Sequence, residues 1–366
     1  FPAPGTYLTD TQAMALALDA ARQGLRGANP LVGAVILSAE NQLLHIGWHK
    51  GAGTSHAEAH AIAQAKETGT PLEGARMFVT LEPCNHTGRT GPCSHAVAGS
   101  GISQLTYAYA DTTENAAGGA AYLRSRGVKV QSGLLAEQSF ELNARWFAAA
   151  HQNRPWVTAK IASSADGFIA AQDGSSQWIT GEAARADGHA LRTRVAAIMV
   201  GNQTVFVDNP HLTARIQGKL AEKQPLRVVM GLRQLSAGSY LAGEVAAGRA
   251  VHLATRNPQA ALEELYARGI RHLLLEGGPT LITAFMRDNL VDDLLWYRAP
   301  LMLGAGRRAL GDLGIGSLNA AQHWALDDLG AQPALRVLGA DTATHLIATS
   351  TSEHFSPQGA AAPTER

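Results

Sequence analysis

LEPCNHTGRTGPC, Leu81 to Cys93, holds both cysteines of the 366-residue chain, Cys84 and Cys93. His86, Gly88, Arg89, Thr90 and Pro92 lie between them. Just upstream, ARMFVTL (75–81) reads as a strand, and downstream Ser94–Gly99 reads as a short helix. HAEAHAIAQAKETG (56–69) is Ala-rich, has Ser55 as its expected N-cap and ends at Gly69, so it reads as a helix that His56 begins. One imidazole and two thiolates suit zinc, and a catalytic zinc takes three protein ligands and keeps one position for water. His56, Cys84 and Cys93 are the candidate ligands. Glu58, two residues past His56, can reach a metal-activated water without ligating the metal, and it is the candidate proton shuttle.

The order H56-A57-E58 followed by P83-C84 fits the H-x-E…P-C-x-x-C signature of zinc nucleobase deaminases, except that eight residues separate the two cysteines here. Taken singly, a cysteine is most often a small buried hydrophobe and a histidine a surface or satisfied core residue. The conjunction with strand-then-helix context is what points to a metal. HAEAH also puts His56 and His60 at i, i+4, but not in the H-E-x-x-H order of a metalloprotease. A disulfide would close only one short loop, and in a reducing compartment a lone pair of cysteines reads as ligands.

Composition bounds the rest. A length of 366 residues suggests two domains. Thirty basic and thirty acidic residues balance, which disfavours a broad polyanion-binding surface and nucleic acid as partner. The opening FPAPGTYL has no basic n-region and no apolar run, so it reads as a trimmed start and not as a signal peptide. No apolar stretch approaches the ~20 residues of a membrane span. The expectation is a cytoplasmic protein with no membrane contact.

Strand-like and helix-like segments alternate along both halves. LVGAVIL (31–37), a strand from His45 to His49 after a turn at Glu40–Asn41, QLTYAYA (104–110), and helices at 119–126 and 134–150 complete the first half. HQNRP (151–155) breaks the pattern, because Pro155 cannot continue a helix. The expected domains are 1–150 and 151–354, with a disordered tail at 355–366. Strands are expected at 156–164, 195–201, 226–230, 271–278 and 291–300, and helices near 181–193, 259–268 and 279–289. This alternation predicts helices packed on largely parallel sheets, an α/β class.

With its H-x-G-R-T loop and the upstream N29-P30-L31-V32-G33, the EPCNHTGRTGPC segment resembles the bifunctional riboflavin-biosynthesis deaminase/reductase family. The likeness extends to the second half: KIASSADGFIA (160–170), SSQWIT (175–180), RTRVAAIMVGNQTVFVDNPHLTAR (192–215) and LLLEGGPTL (273–281) resemble that family's reductase motifs. It implies an amino-terminal cytidine-deaminase-like α/β/α domain holding Zn²⁺ and a carboxy-terminal dihydrofolate-reductase-like α/β domain using NADPH. It further implies that Asn29, His86, Arg89 and Thr90 contact the deaminase substrate, the last three at its 5′-phosphate, as a guanidinium and hydroxyls suit. In the second domain it implies that Ser163, Trp178, Thr204, Asp208 and Gly278 face the cofactor. Ser176, Arg192, Leu212, Arg215 and Glu276 would face the substrate, with both arginines suited to its phosphate. Lys160 and Asp208 would stand near the reacting ribose. E276-G277-G278 alone reads only as a tight strand-to-helix turn, and it is not a G-x-G-x-x-G fingerprint. Where the family carries Asp-Ser, this chain has Gly231-Leu232; Arg233 beyond them is able to supply charge for a 2′-phosphate.

The implied chemistry is hydrolytic deamination of 2,5-diamino-6-ribosylamino-4(3H)-pyrimidinone 5′-phosphate, then NADPH-dependent reduction of the ribose to ribityl, by a homo-oligomer whose partners are small molecules. A zinc deaminase of nucleosides or nucleic acid with a non-catalytic second domain is the rival enzyme. A zinc-stabilised scaffold is the non-enzymatic rival, and it leaves Glu58 without a role.

Overall fold

The computed structural model describes residues 1–24, 27–51, 53–86, 91–111, 118–327 and 333–352; the expected tail at 355–366 lies outside them. The chain divides into two compact units, Phe1–Phe147 and Ala148–Arg366. The division falls inside a helix that runs past residue 150, and Pro155 follows as the next strand begins.

The first unit runs α1 (Asp10–Ala21), β1 (Gly33–Leu37), β2 (Leu43–Trp48), α2 (Ala57–Thr68), β3 (Arg76–Leu81), α3 (Cys93–Ala98), β4 (Gln104–Tyr109), α4 (Gly119–Ser125) and β5 (Lys129–Ser132), and then enters α5 (Ala136–Gln152). Its sheet has the order β2-β1-β3-β4-β5, with β1 antiparallel to both neighbours and β3, β4 and β5 parallel. Strand side chains alternate faces. Ala34 and Ile36 of β1 accordingly join the core under α2, α3 and α4, while Val35 and Leu37 pack under α1. The result is a sheet between two helical layers. Helix α1 carries no motif used above, although Thr9 and Gln12 close a reciprocal capping box at its start.

Helix α2 is set by a close approach. A Cβ on Gly47 of β2 would lie 2.2 Å from the Ala57 carbonyl oxygen, so only glycine lets the first turn of α2 rest on the sheet. The N-cap is His56 and not the expected Ser55, and it makes no side-chain cap bond. The Ser55 carbonyl instead accepts from Nδ1 of His49 at 3.0 Å, which holds Ser55 outside the helix.

The second unit runs β6 (Trp156–Ser164), β7 (Phe168–Ala170), α6 (Glu182–Arg192), β8 (Ala197–Gly201), α7 (Asn202–Asp208), β9 (Arg215–Ile216), β10 (Lys219–Leu220), β11 (Leu226–Met230), α8 (Tyr240–Ala246), β12 (Ala250–Leu253), α9 (Pro258–Ala267), β13 (His272–Leu275), α10 (Pro279–Arg287), β14 (Asp293–Ala299), β15 (Arg307–Arg308), β16 (Trp324–Leu326), β17 (Leu335–Leu338) and β18 (Asp341–Ala348). Among the described residues the main sheet runs β12-β11-β8-β13-β6-β14-β18-β16, with β17 also on β18. It is parallel from β12 to β14 and antiparallel beyond. Leu273 and Leu275 face α9 and α10, whereas Leu274, Val200 and Val229 face α7 and α8. A strand buried on both faces explains why LLL reads as an unbroken apolar run.

Arg154 has a role that its position beside a proline concealed. Its guanidinium grips the buried Asp292 bidentately at 2.7 Å for both bonds, and Asp292 also accepts from the backbone N–H of Val157 at 2.8 Å. This clamp ties the start of β6 to the approach to β14. Arg154→Met would leave a buried carboxylate without its cation, and urea unfolding should show a loss of about 3–5 kcal/mol. A change within about 0.5 kcal/mol, typical of a surface site, would remove the clamp from the account.

Candidate active sites of the two units

In the first unit the elements already described bring three ligand atoms together. His56 stands at the start of α2, Cys84 follows the carboxyl end of β3, and Cys93 opens α3. Nδ1 of His56 lies 3.5 Å from the Cys84 sulfur and 3.3 Å from the Cys93 sulfur. A tetrahedral zinc with bonds of about 2.3 Å to sulfur and about 2.0 Å to nitrogen puts those atoms roughly 3.5 Å apart. The trio is therefore already spaced for the ion. The thiol of Cys84 is pulled down by its hydrogen bonds with Cys93 and His56, against its own burial. Cys93 is pushed up by the same shared bond and by burial. A divalent cation in place of the shared proton lets both sulfurs ionise.

The surroundings fix this geometry. A Cβ on Gly119 would fall 1.8 Å from the Pro83 carbonyl oxygen, so α4 can start against the Pro83–Cys84 segment only with glycine there. The backbone N–H of Ser94 donates to the Cys84 carbonyl at 3.2 Å, and its hydroxyl donates to Oδ1 of Asn85 at 2.8 Å. Glu58 is 3% exposed in the first turn of α2, and burial pushes its carboxyl up to about 7.

Asn29 donates through Nδ2 to Nε2 of His49 at 3.0 Å, and the His49 ring packs edge-on to His56 with centroids 5.2 Å apart. Since Nδ1 of His49 donates to Ser55, its Nε2 is the acceptor, and the Asn29 carbonyl oxygen is left to receive a donor from a ligand. Sequence reasoning missed His49, which stands outside every motif it used. His86 is exposed, and Arg89 and Thr90 lie outside the described residues.

In the second unit, Arg192 and Glu276 form a closed pair. Nε and Nη2 of Arg192 donate to the two carboxylate oxygens at 2.8 and 2.7 Å, and Nη1 donates to the Thr213 carbonyl at 2.9 Å. Burial raises the Glu276 carboxyl, but the adjacent Arg192 outweighs it and holds the group down at about 2, helped by the charges of Lys160 and His189. His189, one turn before Arg192 on α6, has its imidazole held below the usual range by burial and by Arg192. Sequence reasoning did not single it out, although its i, i+3 spacing from Arg192 was the available signal. Arg215 on β9 donates to the Gly218 carbonyl at 3.0 Å, and helix α6 packs on that strand.

The residues expected at the cofactor divide. The Thr204 hydroxyl accepts from the Gly278 backbone N–H at 3.2 Å, joining the start of α7 to the start of α10. Trp178 is 69% exposed beneath the Arg185 guanidinium, 4.7 Å from the ring centre, and Ser176 is exposed beside it. Asp208 is exposed at the end of α7, where desolvation raises its carboxyl against the charge of Arg307. Two of the expected residues turn their side chains inward. The Ser163 hydroxyl is fully buried, donates to the Ser164 carbonyl at 2.9 Å and accepts from the Trp296 indole at 2.8 Å. The Leu212 side chain packs into the core with Val195, Ile198 and Leu241, so only its backbone, at φ +52°, can meet a ligand. Arg233 is steadied by Gln203 at 2.9 Å and by the Phe206 ring at 4.8 Å.

Comparison with known proteins bears on each unit. Residues 8–109 match the cytidine and deoxycytidylate deaminase zinc-binding region, and residues 155–330 match the RibD C-terminal domain. The chain is 41% identical over 322 residues to the riboflavin biosynthesis protein RibD of Mycobacterium tuberculosis, covering 87% of this chain and 93% of that one. It is 42% identical over 285 residues to RibD of Corynebacterium ammoniagenes, covering 78% and 83%. The solved structure of Acinetobacter baumannii RibD superposes with a TM-score of 0.81 at 30% identity, over 93% of this chain and 98% of that one.

Metal content gives a direct check on the first site. The purified protein should carry one zinc per chain, and Cys84→Ser or Cys93→Ser should lose it, because a hydroxyl is a far poorer ligand than a thiolate. Full zinc in both variants, measured by elemental analysis, would rule out the trio.

Proposed function

The chain belongs to the RibD family of bifunctional riboflavin biosynthesis deaminase/reductases, and from that membership we propose how its own residues divide the two reactions. The observation that carries the reading is a preformed His-Cys-Cys trio with a buried carboxylate two residues from the histidine. The amino-terminal domain, 1–150, deaminates 2,5-diamino-6-ribosylamino-4(3H)-pyrimidinone 5′-phosphate. His56, Cys84 and Cys93 hold a zinc ion, which when bound supplies a Lewis acid and hydroxide at neutral pH. Glu58 accepts the proton of the attacking water and returns it to the departing amine, a task suited to a carboxyl raised to about 7. Asn29, oriented by His49, accepts a hydrogen bond from the substrate. His86, Arg89 and Thr90 hold the 5′-phosphate.

The carboxy-terminal domain, 151–354, reduces the ribose of the deaminated product to ribityl. NADPH supplies the hydride there, and the protein supplies binding and orientation. Trp178, Thr204, Asp208 and Gly278 line the dinucleotide, Ser163 contributes through its backbone alone, and Arg233 supplies charge for the 2′-phosphate. Arg192 fixes the Glu276 carboxylate towards the substrate, and Ser176 and the Leu212 backbone complete its cradle. With Arg192 so engaged, Arg215 is the principal cation for the phosphate. Lys160 and Asp208 stand at the reacting ribose, where Lys160 offers an ammonium to the sugar oxygens. We assign the chain to the cytoplasm as a homo-oligomer acting on small molecules and not on nucleic acid, in keeping with its balanced charge.

Separate assays of the half-reactions test this division. Glu58→Gln should keep its zinc and lose about 10²–10⁴-fold in ammonia release, yet reduce supplied deaminated pyrimidine normally. An unchanged deamination rate would remove Glu58 from the mechanism.

Arg215→Ala should deaminate normally and lose about 10–150-fold in kcat/KM for reduction, the value of one charge-assisted contact. If Arg215→Ala abolishes deamination, the sites share residues and the division drawn here fails.

A further inference from the structure

Lys160 is the cation of the second site that the described residues leave uncommitted: it forms no hydrogen bond or ion pair with any of them. Its charge acts on Glu276, whose two oxygens already belong to Arg192. Its stem nevertheless has walls. Strands β6 and β14 pair in parallel with Lys160 opposite Leu295 and Ala162 opposite Tyr297, so Lys160 and Tyr297 rise from one face of the sheet. The Lys160 ammonium lies 5.8 Å from the centre of the Tyr297 ring, within range of a cation–π contact. Across from it, helix α6 passes with Gly188, where a Cβ would stand 3.8 Å from Cε of Lys160.

The ring itself is held firmly. Tyr297 is fully buried, and its hydroxyl donates to Oδ2 of Asp187 at 2.6 Å. Asp187 is gripped in turn by Arg336 of β17, at 2.7 and 2.8 Å to its two oxygens. Burial and Asp187 both keep the phenol protonated well beyond the neutral range, and its one proton is already donated to Asp187. What remains is the face of a ring whose hydroxyl points at an anion, an arrangement that makes the face more electron-rich.

We infer that Tyr297 is a positioning residue for Lys160: its ring face, anchored through Asp187 to Arg336, holds the ammonium at the reacting ribose while leaving all three N–H donors to the substrate. The inference rests on the reading that Lys160 works in the reductase site. A hydrogen-bonding partner in place of the ring would occupy one of those donors. An aromatic face attracts the charge without taking any of them.

The test grades the ring's electrostatics at constant shape. Tyr297→Phe and replacement of Tyr297 by 3,4,5-trifluorophenylalanine are compared in the full-length protein, with and without Lys160→Ala. Thermal midpoints and ammonia release serve as controls for folding. The Tyr297→Phe variant keeps a ring face beneath the ammonium but loses the hydroxyl anchor, and its kcat for reduction is the reference for the fluorinated ring. The trifluoro variant should lose about 2–30-fold in kcat with KM and NADPH binding little changed, and nothing further in the Lys160→Ala background. Equal rates for the plain and fluorinated rings overturn the inference. So does an equally large loss in both, which would place the effect in the hydroxyl network. If Lys160→Ala itself reduces at the normal rate, the assignment of Lys160 to the reductase site fails first, and that outcome is distinct from a flat fluorination series over a slow Lys160→Ala protein.

Discussion

Both sites depend on what happens where a parallel strand stops. Along the strand, each N–H and C=O is committed to a neighbour; at its carboxyl end the chain must turn, and the turn carries side chains into a crevice next to a helix start. Cys84 stands just past the end of β3 and Glu276 just past the end of β13. In the first unit this edge meets two helix starts, α2 with His56 and α3 with Cys93. In the second it meets α7 and α10, joined by the bond from Gly278 to Thr204. The sheet's order therefore determines which residues can share a site.

Close packing makes those edges accurate. The starts of α2 and α4 approach strand backbone so nearly that a methyl group at Gly47 or Gly119 would collide with a carbonyl oxygen. These contacts leave the helices no freedom to slide, and a zinc site tolerates little sliding. In the second unit the same service comes from charge. Arg192 with Glu276, Asp187 with Arg336 and Arg154 with Asp292 are partly or wholly buried pairs in which each charge has a bidentate partner. Breaking any of them leaves a costly lone ion, so the pairs fix α6, β14 and β17 in register around Lys160.

The two sites distribute their charges differently. The first gathers acidic and soft groups around a position for a cation, with Glu58 kept near neutral titration by burial. The second sets one firmly ionised carboxylate, Glu276, beside Lys160 and Arg192, with Arg215 near His189, whose imidazole is held below its usual range. That excess of positive charge suits a phosphorylated sugar.

The sequence by itself determined which donor residues the first site brings together. H-x-E, P-C and a second cysteine are local patterns, and the helices and strand that carry them follow from periodicity and caps; the two helix starts were each displaced by one residue. It also determined the alternation of elements and the end of the helix that stops before Pro155, because these depend on neighbours in the chain. What only the tertiary structure decided was long-range pairing. That Ser163 turns its hydroxyl to Trp296, that Leu212 belongs to the core, that Arg192 is closed by Glu276 and that Tyr297 underlies Lys160 depend on residues distant in the chain: Ser163 and Trp296 are 133 positions apart, and Arg192 and Glu276 are 84 apart. No local pattern encodes which of several buried partners a polar side chain will meet, since that choice is made by strand order and register when the sheet assembles.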